Sequence, residues 1–228
     1  MATQWQTFPI EFRGGLISNL SPLQHGTNAV GSATILQNFE ANKEGGYAKI
    51  RGYEKYSTTT VPGSGSILAL KVISSGRIVA ARKNSSNQTQ YYYSTGSSWT
   101  SMATSVGTNG GKARHVLYNL DGDDKVIFVD GTNYPAIYNT SGNSTTFMTS
   151  SNSTDVSGAE HVTVFKNTAF YSKGNNIYFT APFTVDDFSV ANGAGSINVA
   201  NDVTGMAVFR DQLIIFTSDT IKRLTGNS

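Results

Sequence analysis

The clearest hydrophobic pattern lies near the end of the chain, at Gly205 to Gly226, GMAVFRDQLIIFTSDTIKRLTG. Val208-Phe209 is an apolar pair, Arg210-Asp211 a polar break, and Leu213-Ile214-Ile215-Phe216 an apolar run. Ser218-Asp219 breaks the pattern again, and Ile221 to Leu224 forms a third short segment. Apolar stretches of about 4–6 residues divided by two-residue polar breaks predict an antiparallel meander. The unit recurs upstream, where His161 to Phe165, the break Lys166-Asn167, Ala169-Phe170-Tyr171, the turn Lys173 to Asn176 and Ile177 to Thr180 follow one another. Phe165 to Phe209 and Ile177 to Ile221 are both 44 positions. Two earlier copies match through their tails: Tyr93 to Tyr138 is 45 positions and Met102 to Met148 is 46. A period near 45 with three or four strands inside it predicts an all-β chain built as a β-propeller of four-stranded antiparallel blades.

The blades are expected at about 66–102, 112–148, 159–190 and 204–224, the first with strands near Ile67–Ile73, Arg77–Arg82, Gln90–Tyr93 and Trp99–Met102. Thr149–Gly158 and Ala191–Ala200, built of small and polar residues, read as exposed loops. Residues 1–46 lie outside the repeat as an extended N-terminal segment, and residues 47–228 form the blade region. Tyr47, Lys49, Arg51, Tyr53 and Lys55 alternate with Ala48, Ile50, Gly52, Glu54 and Tyr56, the period of a strand with one wet face. The last repeat holds three strands, so Ile221, Lys222, Arg223 and Leu224 form the candidate assembly edge, a row of unpaired backbone groups that invites association. Two readings follow. Tyr47–Tyr56 supplies the fourth strand and closes a four-bladed ring, or the chain is the front part of a larger propeller whose edge pairs with later residues or a neighbouring subunit.

Several of these positions carry a family resemblance. Asn38 in a short apolar element, a turn closed by Gly46, Tyr47 and Lys49, then Gly52 followed by Lys55 and Tyr56 resembles the opening of the tail nozzle and hub proteins of short-tailed bacteriophages. Those are the tail tubular protein B-like and DNA-stabilisation hub proteins. Arg13-Gly14-Gly15-Leu16 is similar to the opening of the nozzle branch, and Leu213 to Gly226 to the strand, Ser-x-Thr-Ile, strand of the hub branch. The resemblance implies a structural virion protein, made in the host cytoplasm and located in the phage tail. Its copies form a ring, usually sixfold, below the portal and adaptor, dock fibres, and serve DNA ejection by passing genomic DNA through a lumen without sequence recognition. It implies no cofactor and no catalysis. Members of the family are longer than this chain, which favours the larger propeller. The alternative reading is a propeller-type binding module, a lectin or scaffold, with Tyr91-Tyr92-Tyr93 and Trp99 stacking on sugars; fold by itself does not separate the two.

Composition sharpens this picture in three places. The chain of 228 residues has only 14% charged residues but 11 Tyr and 12 Phe, which argues for a turn-rich β chain and against disorder. It has no Cys, so neither a disulfide framework nor a thiolate site is available, and no apolar run reaches the 18 or so residues of a membrane span. Charge is uneven. Residues 1–114 carry 11 Lys and Arg against 4 Glu, a balance of +7, whereas residues 115–228 carry 6 against 11, a balance of −5. That polarity suits head-to-tail contact between copies or a basic face toward nucleic acid, and equally two ordinary solvated surfaces.

No catalytic constellation assembles in the sequence. Asp121-Gly122-Asp123-Asp124 suggests calcium, but Lys125 and Thr132 stand where an EF-hand needs an oxygen ligand and a Glu, and a hairpin turn accounts for it better. The acidic candidates for glycoside hydrolysis are Glu160, Asp186, Asp187, Asp202 and Asp211, set in breaks and loops where each suits a turn hydrogen bond. His115 and His161 are 46 positions apart, which repeat symmetry explains without a metal. The expectation is therefore no hydrolytic activity. Turnover of a polysaccharide or peptidoglycan that is abolished by changing Asp186, Asp187 or Asp211 would refute it.

Overall fold

A computed structural model describes residues 14–21, 23–24, 31–41, 46–73, 76–102, 108, 110–120 and 122–226. The chain forms two compact units that divide between Lys55 and Tyr56. In the first, β1 (Phe39–Ala41) pairs antiparallel with β2 (Tyr47–Lys49). The second holds four successive sheets. Blade 1 is β3 (Ile67–Val72), β4 (Ile78–Lys83), β5 (Thr89–Ser94) and β6 (Trp99–Ser101). Blade 2 is β7 (Arg114–Leu120), β8 (Asp123–Val129), β9 (Ala136–Asn139) and β10 (Ser144–Phe147). Blade 3 is β11 (His161–Phe165), β12 (Thr168–Lys173), β13 (Asn176–Phe179) and β14 (Gly195–Asn198), and blade 4 is β15 (Val203–Phe209), β16 (Gln212–Thr217) and β17 (Ile221–Leu224). Helix among the described residues is confined to a turn at Leu23–Gln24 and a 3-10 turn at Val190–Asn192.

Every pairing between consecutive strands of a blade is antiparallel, and the two-residue breaks close the tightest of these hairpins. Lys166 and Asn167 have φ of 47° and 58°, and Arg210 and Asp211 have 46° and 61°. Two successive left-handed residues form the turn whose twist matches that of the flanking strands. Short turns fix register, and register decides which side chains meet the next sheet. In β8, Val126 and Phe128 enter a core with Val79, Ala81 and Tyr91 of blade 1, while Ile127 and Val129 enter a second core with Val162, Ala169 and Tyr171 of blade 3. A third core joins Phe165, Phe170 and Ile177 of blade 3 to Val203, Leu213 and Ile215 of blade 4. A strand covered on both faces reads as a continuous apolar run, which is why KVIFV carries no alternation. The first strands β3, β7, β11 and β15 lie side by side in that order, and no comparable packing joins β15 back to β3 among the described residues.

Four expectations need correction. Tyr47–Tyr56 is not a ten-residue strand, and Tyr47–Lys55 belongs to the N-terminal unit rather than to the blades. After Lys49 only the Ile50 N–H, donating to the Asn38 carbonyl at 2.9 Å, continues the pairing, and Tyr53 is fully exposed. Alternation makes a strand only where a partner backbone runs alongside. Ala191–Ala200 is not a loop, because Gly195–Asn198 is the outer strand of blade 3. Its one apolar pairing, Ile197 opposite Ile177, was hidden among Gly, Ser and Asn. Thr149–Gly158 is a loop, but Val156 in it is fully buried against blades 2 and 3. Of the two readings for blade 4, the ring closed by Tyr47–Tyr56 is not seen among the described residues, where β17 pairs only with β16. On the side of blade 1 away from blade 2, the segment Tyr56–Gly65 is strapped down instead. Tyr56 Oη donates to the Gly76 carbonyl at 3.2 Å, Trp99 Nε1 to Thr59 at 3.2 Å and Arg82 Nε to Gly65 at 2.8 Å. Ala80 and Tyr92 beneath it are buried.

Arg77 ties blade 1 to the outer part of blade 2. Its Nη1 donates to Tyr138 Oη and to the Thr140 carbonyl, both at 3.0 Å, and to Asn143 Oδ1, while its guanidinium carbon sits 5.5 Å from the centre of the Tyr93 ring. Tyr138 is fully buried and its hydroxyl also donates to Asn143 Oδ1 at 3.0 Å, so removing Arg77 takes away one of its two partners and the only charged donor of the cluster. Arg77→Ala is expected to lower unfolding free energy by about 1.5–3 kcal/mol in denaturant titration, with Arg77→Lys recovering only part because a compact ammonium lacks the planar face that lies on the Tyr93 ring.

Candidate assembly surfaces

The family-like residues of the N-terminal unit converge. The Gly14 N–H donates to the Gly31 carbonyl at 3.1 Å, the Ala33 N–H to Gly15 at 2.9 Å and the Ile17 N–H to Ala33 at 2.9 Å, so two stretches distant in sequence lie side by side. A Cβ on Gly14 would lie 2.6 Å from the Ser32 backbone nitrogen, so only glycine allows this approach. Gly15, with φ of 79°, faces the Tyr47 hydroxyl. Asn38 and Gly46, with φ of 62° and 90°, flank the two strands, and Lys49 lies opposite Phe39. Gly14, Gly15, Asn38, Gly46, Tyr47 and Lys49 thus belong to one local structure beside an apolar cavity of about 320 Å³ lined by Gly31, Ala33, Ile35, Leu36, Phe39 and Tyr47. Gly52 and Lys55 lie beyond the pairing, and Tyr56 is part of the strap over blade 1.

Blade 4 presents the second surface. β17 is the outermost strand of its sheet. The Thr217 N–H donates to the Thr220 carbonyl at 2.9 Å, and register carries that bonding phase to Ile215 with Lys222 and Leu213 with Leu224. The backbone groups of Ile221 and Arg223 therefore point to the open edge. Lys222 and Leu224 face the other way: Lys222 Nζ donates to the Val199 carbonyl at 2.6 Å, and Leu224 packs on the core shared with blade 3. The four edge positions thus divide into two that offer the edge and two that anchor it.

The sheet face next to that edge is apolar and open. Phe165, Phe170 and Ile177 of blade 3 are buried because blade 4 covers them. Their counterparts 44 positions later, Phe209, Ile214 and Ile221, carry the same or similar side chains. Yet Phe209 is 61% and Ile221 70% exposed, and Phe216 on the same face is 39% exposed. Covering a Phe or Ile side chain is worth about 1.5–3 kcal/mol, so this face holds several kcal/mol of unused burial. The repeat was legible in the sequence; that its last copy lacks a cover was not, because coverage depends on what lies beside a sheet.

The residues considered for chemistry stay apart. Asp186 and Asp187 border a polar hollow of about 470 Å³ with Ser151, Asn152, Phe188 and Ser189. Asp187 accepts from the Ser189 N–H at 2.8 Å and from Asn192 Nδ2 at 2.7 Å, and these bonds hold its carboxyl below the usual carboxylate range. Such a group shapes a turn and is a poor general acid. Asp211 is 3.5 Å from Lys166 Nζ in a different turn, while Glu160 and Asp202 precede β11 and β15. Asp121 lies outside the described residues; beside it, Gly122 has φ of 83° and donates its N–H to Asn119 Oδ1 at 3.1 Å, as in a hairpin turn. No group of three or more His, Asp or Glu gathers among the described residues. Tyr91 and Tyr92 are buried, and Tyr93 lies under Arg77. Trp99 is half-buried, with its indole N–H bonded to the Thr59 carbonyl of the strap. No helix among the described residues is long and apolar enough to cross a membrane.

Ile177 and Ile221 give a direct test of coverage. Ile177→Ala is expected to cost about 2–5 kcal/mol by denaturant unfolding, and Ile221→Ala within about 0.5 kcal/mol in dilute protein. An equal cost at both sites would mean that the blade 4 face is covered in solution.

No family model and no curated protein matches the chain. Solved structures do. The computationally designed Ika8 protein aligns with a TM-score of 0.53 at 10% identity, covering 85% of this chain and 57% of its own. The extracellular domain of the putative one component system BT4673 from B. thetaiotaomicron aligns with a TM-score of 0.51 at 13% identity, covering 72% of this chain and 21% of its own. The chain therefore spans less than two thirds of either structure. At these identities the likeness is one of fold: an all-β, propeller-like array of antiparallel blades.

Proposed function

We propose that this chain is a structural virion protein of a short-tailed bacteriophage tail, a non-catalytic part of an oligomeric nozzle or hub. The observation that carries the assembly role is the open face of blade 4, where Phe209, Ile214 and Ile221 repeat the side chains that blade 3 uses to hold its neighbour. A large exposed apolar face beside an unpaired strand edge is a surface built for association. The phage setting rests on the resemblance at Gly14, Gly15, Asn38, Gly46, Tyr47 and Lys49, residues that also share one local structure. In this reading the partners are further copies in a ring, sixfold by analogy, together with tail adaptor and fibre proteins. Genomic DNA passes through the lumen and is contacted without sequence readout. The glycan-binding alternative keeps only Tyr93 and Trp99 as stacking candidates, since Tyr91 and Tyr92 are core residues.

Electron microscopy tests the proposal. The purified protein is expected to form rings, and antibody-gold raised against it to label the tail axis of intact particles. Labelling confined to the capsid shell, or absent from virions, would overturn it.

A further inference from the structure

One polar residue on the first strand of a blade lies in each seam between blades. Between blades 2 and 3, Arg114 on β7 donates from Nη1 to the Glu160 carbonyl at 2.9 Å. Between blades 1 and 2 the residue is His115 on β7. It lies opposite Phe128, a member of that seam's core, with ring centroids 5.8 Å apart, and the charge of Lys71 on β3 acts on it. Between blades 3 and 4 it is His161 on β11. Its Nδ1 is 3.0 Å from Ser172 Oγ, the main chain of Thr204 on β15 faces it, and the charge of Arg114 reaches it. Each ring keeps one buried nitrogen without a hydrogen-bond partner, His115 Nδ1 and His161 Nε2.

The spacing of 46 makes the two histidines look like repeat equivalents, but they face opposite ways. His115 shares its face with Phe128, toward blade 1, whereas His161 pairs with Ser172 on the face of Phe170, toward blade 4. They bracket the central pair, blades 2 and 3. We propose that His115 and His161 are proton-sensitive latches, which hold blades 1 and 4 to that central pair when neutral and release them when protonated.

A proton on either ring places a second cation beside one already there, Lys71 in the first seam and Arg114 in the last, inside a desolvated contact. The Ser172 hydroxyl and the Thr204 carbonyl offer partial compensation at His161. Glu160, the carboxylate nearest in sequence, runs its side chain toward Gly131 of blade 2. Burial, reinforced by those cations, holds both rings below the ordinary histidine value. The opened state then takes up the proton first. Stability is complete above the unperturbed value of about 6.5 and falls as pH drops through it toward the lower folded values.

The test is amide exchange of the full chain at about pH 7.5 and about pH 5.5, corrected for intrinsic rates, in the parent and in H115Q/H161Q. In the parent, amides of β3 and β15 are expected to exchange up to about tenfold faster at the lower pH, the limit for one ring of ordinary value about 6.5 between those two pH values, with β8 and β12 unchanged. The double variant is expected to lose that difference. The same acid response in the variant, or a response uniform across all blades, would overturn the proposal. Should the variant not fold, imidazole proton titration of the parent decides, and values at or above about 6.5 for His115 and His161 would overturn it.

Discussion

The constraint on which the structure depends is that each blade is apolar on both faces. A sheet of this kind is stable only between two neighbours, and β8 shows it most plainly, since Val126 and Phe128 need blade 1 while Ile127 and Val129 need blade 3. The three cores are therefore seams and not blade interiors, and no blade is self-sufficient. Stability becomes a nearest-neighbour property, as in other repeat proteins.

That constraint makes the two ends of the array the informative places. At blade 1 the face away from blade 2 is partly met by the strap Tyr56–Gly65, held through Tyr56, Arg82 and Trp99. At blade 4 the corresponding need is left open, with Phe209, Phe216 and Ile221 exposed. The difference lies between a face provided with a local cover and a face that retains the chemistry of a seam. This asymmetry gives the array of blades its direction.

The seams also differ in polarity. The middle one is closed by a permanently charged guanidinium on a carbonyl, and the outer two by imidazoles with an unpartnered nitrogen. Permanent charge and titratable nitrogen respond differently to acid, so similar packing in three places does not imply similar behaviour in three places.

Much of the fold was legible in the chain because it is local. The two-residue breaks at Lys166-Asn167 and Arg210-Asp211 are turns, and the 44-residue spacing of Phe165 and Phe209 is the blade repeat. The close approach of Gly14 to the Ser32 backbone was not legible, because no spacing names the partner. Alternation misled at Tyr47–Tyr56, because period two reports a strand only where another backbone is in reach, and composition misled at Gly195–Asn198, because an outer strand needs a partner more than it needs apolar side chains. Turns and the repeat were determined by the sequence alone, since neighbours along the chain decide them. Which faces are covered, which carboxylates stay apart and which way His115 and His161 point were decided by tertiary structure, since each depends on the parity of a register and on the sheet that happens to lie alongside.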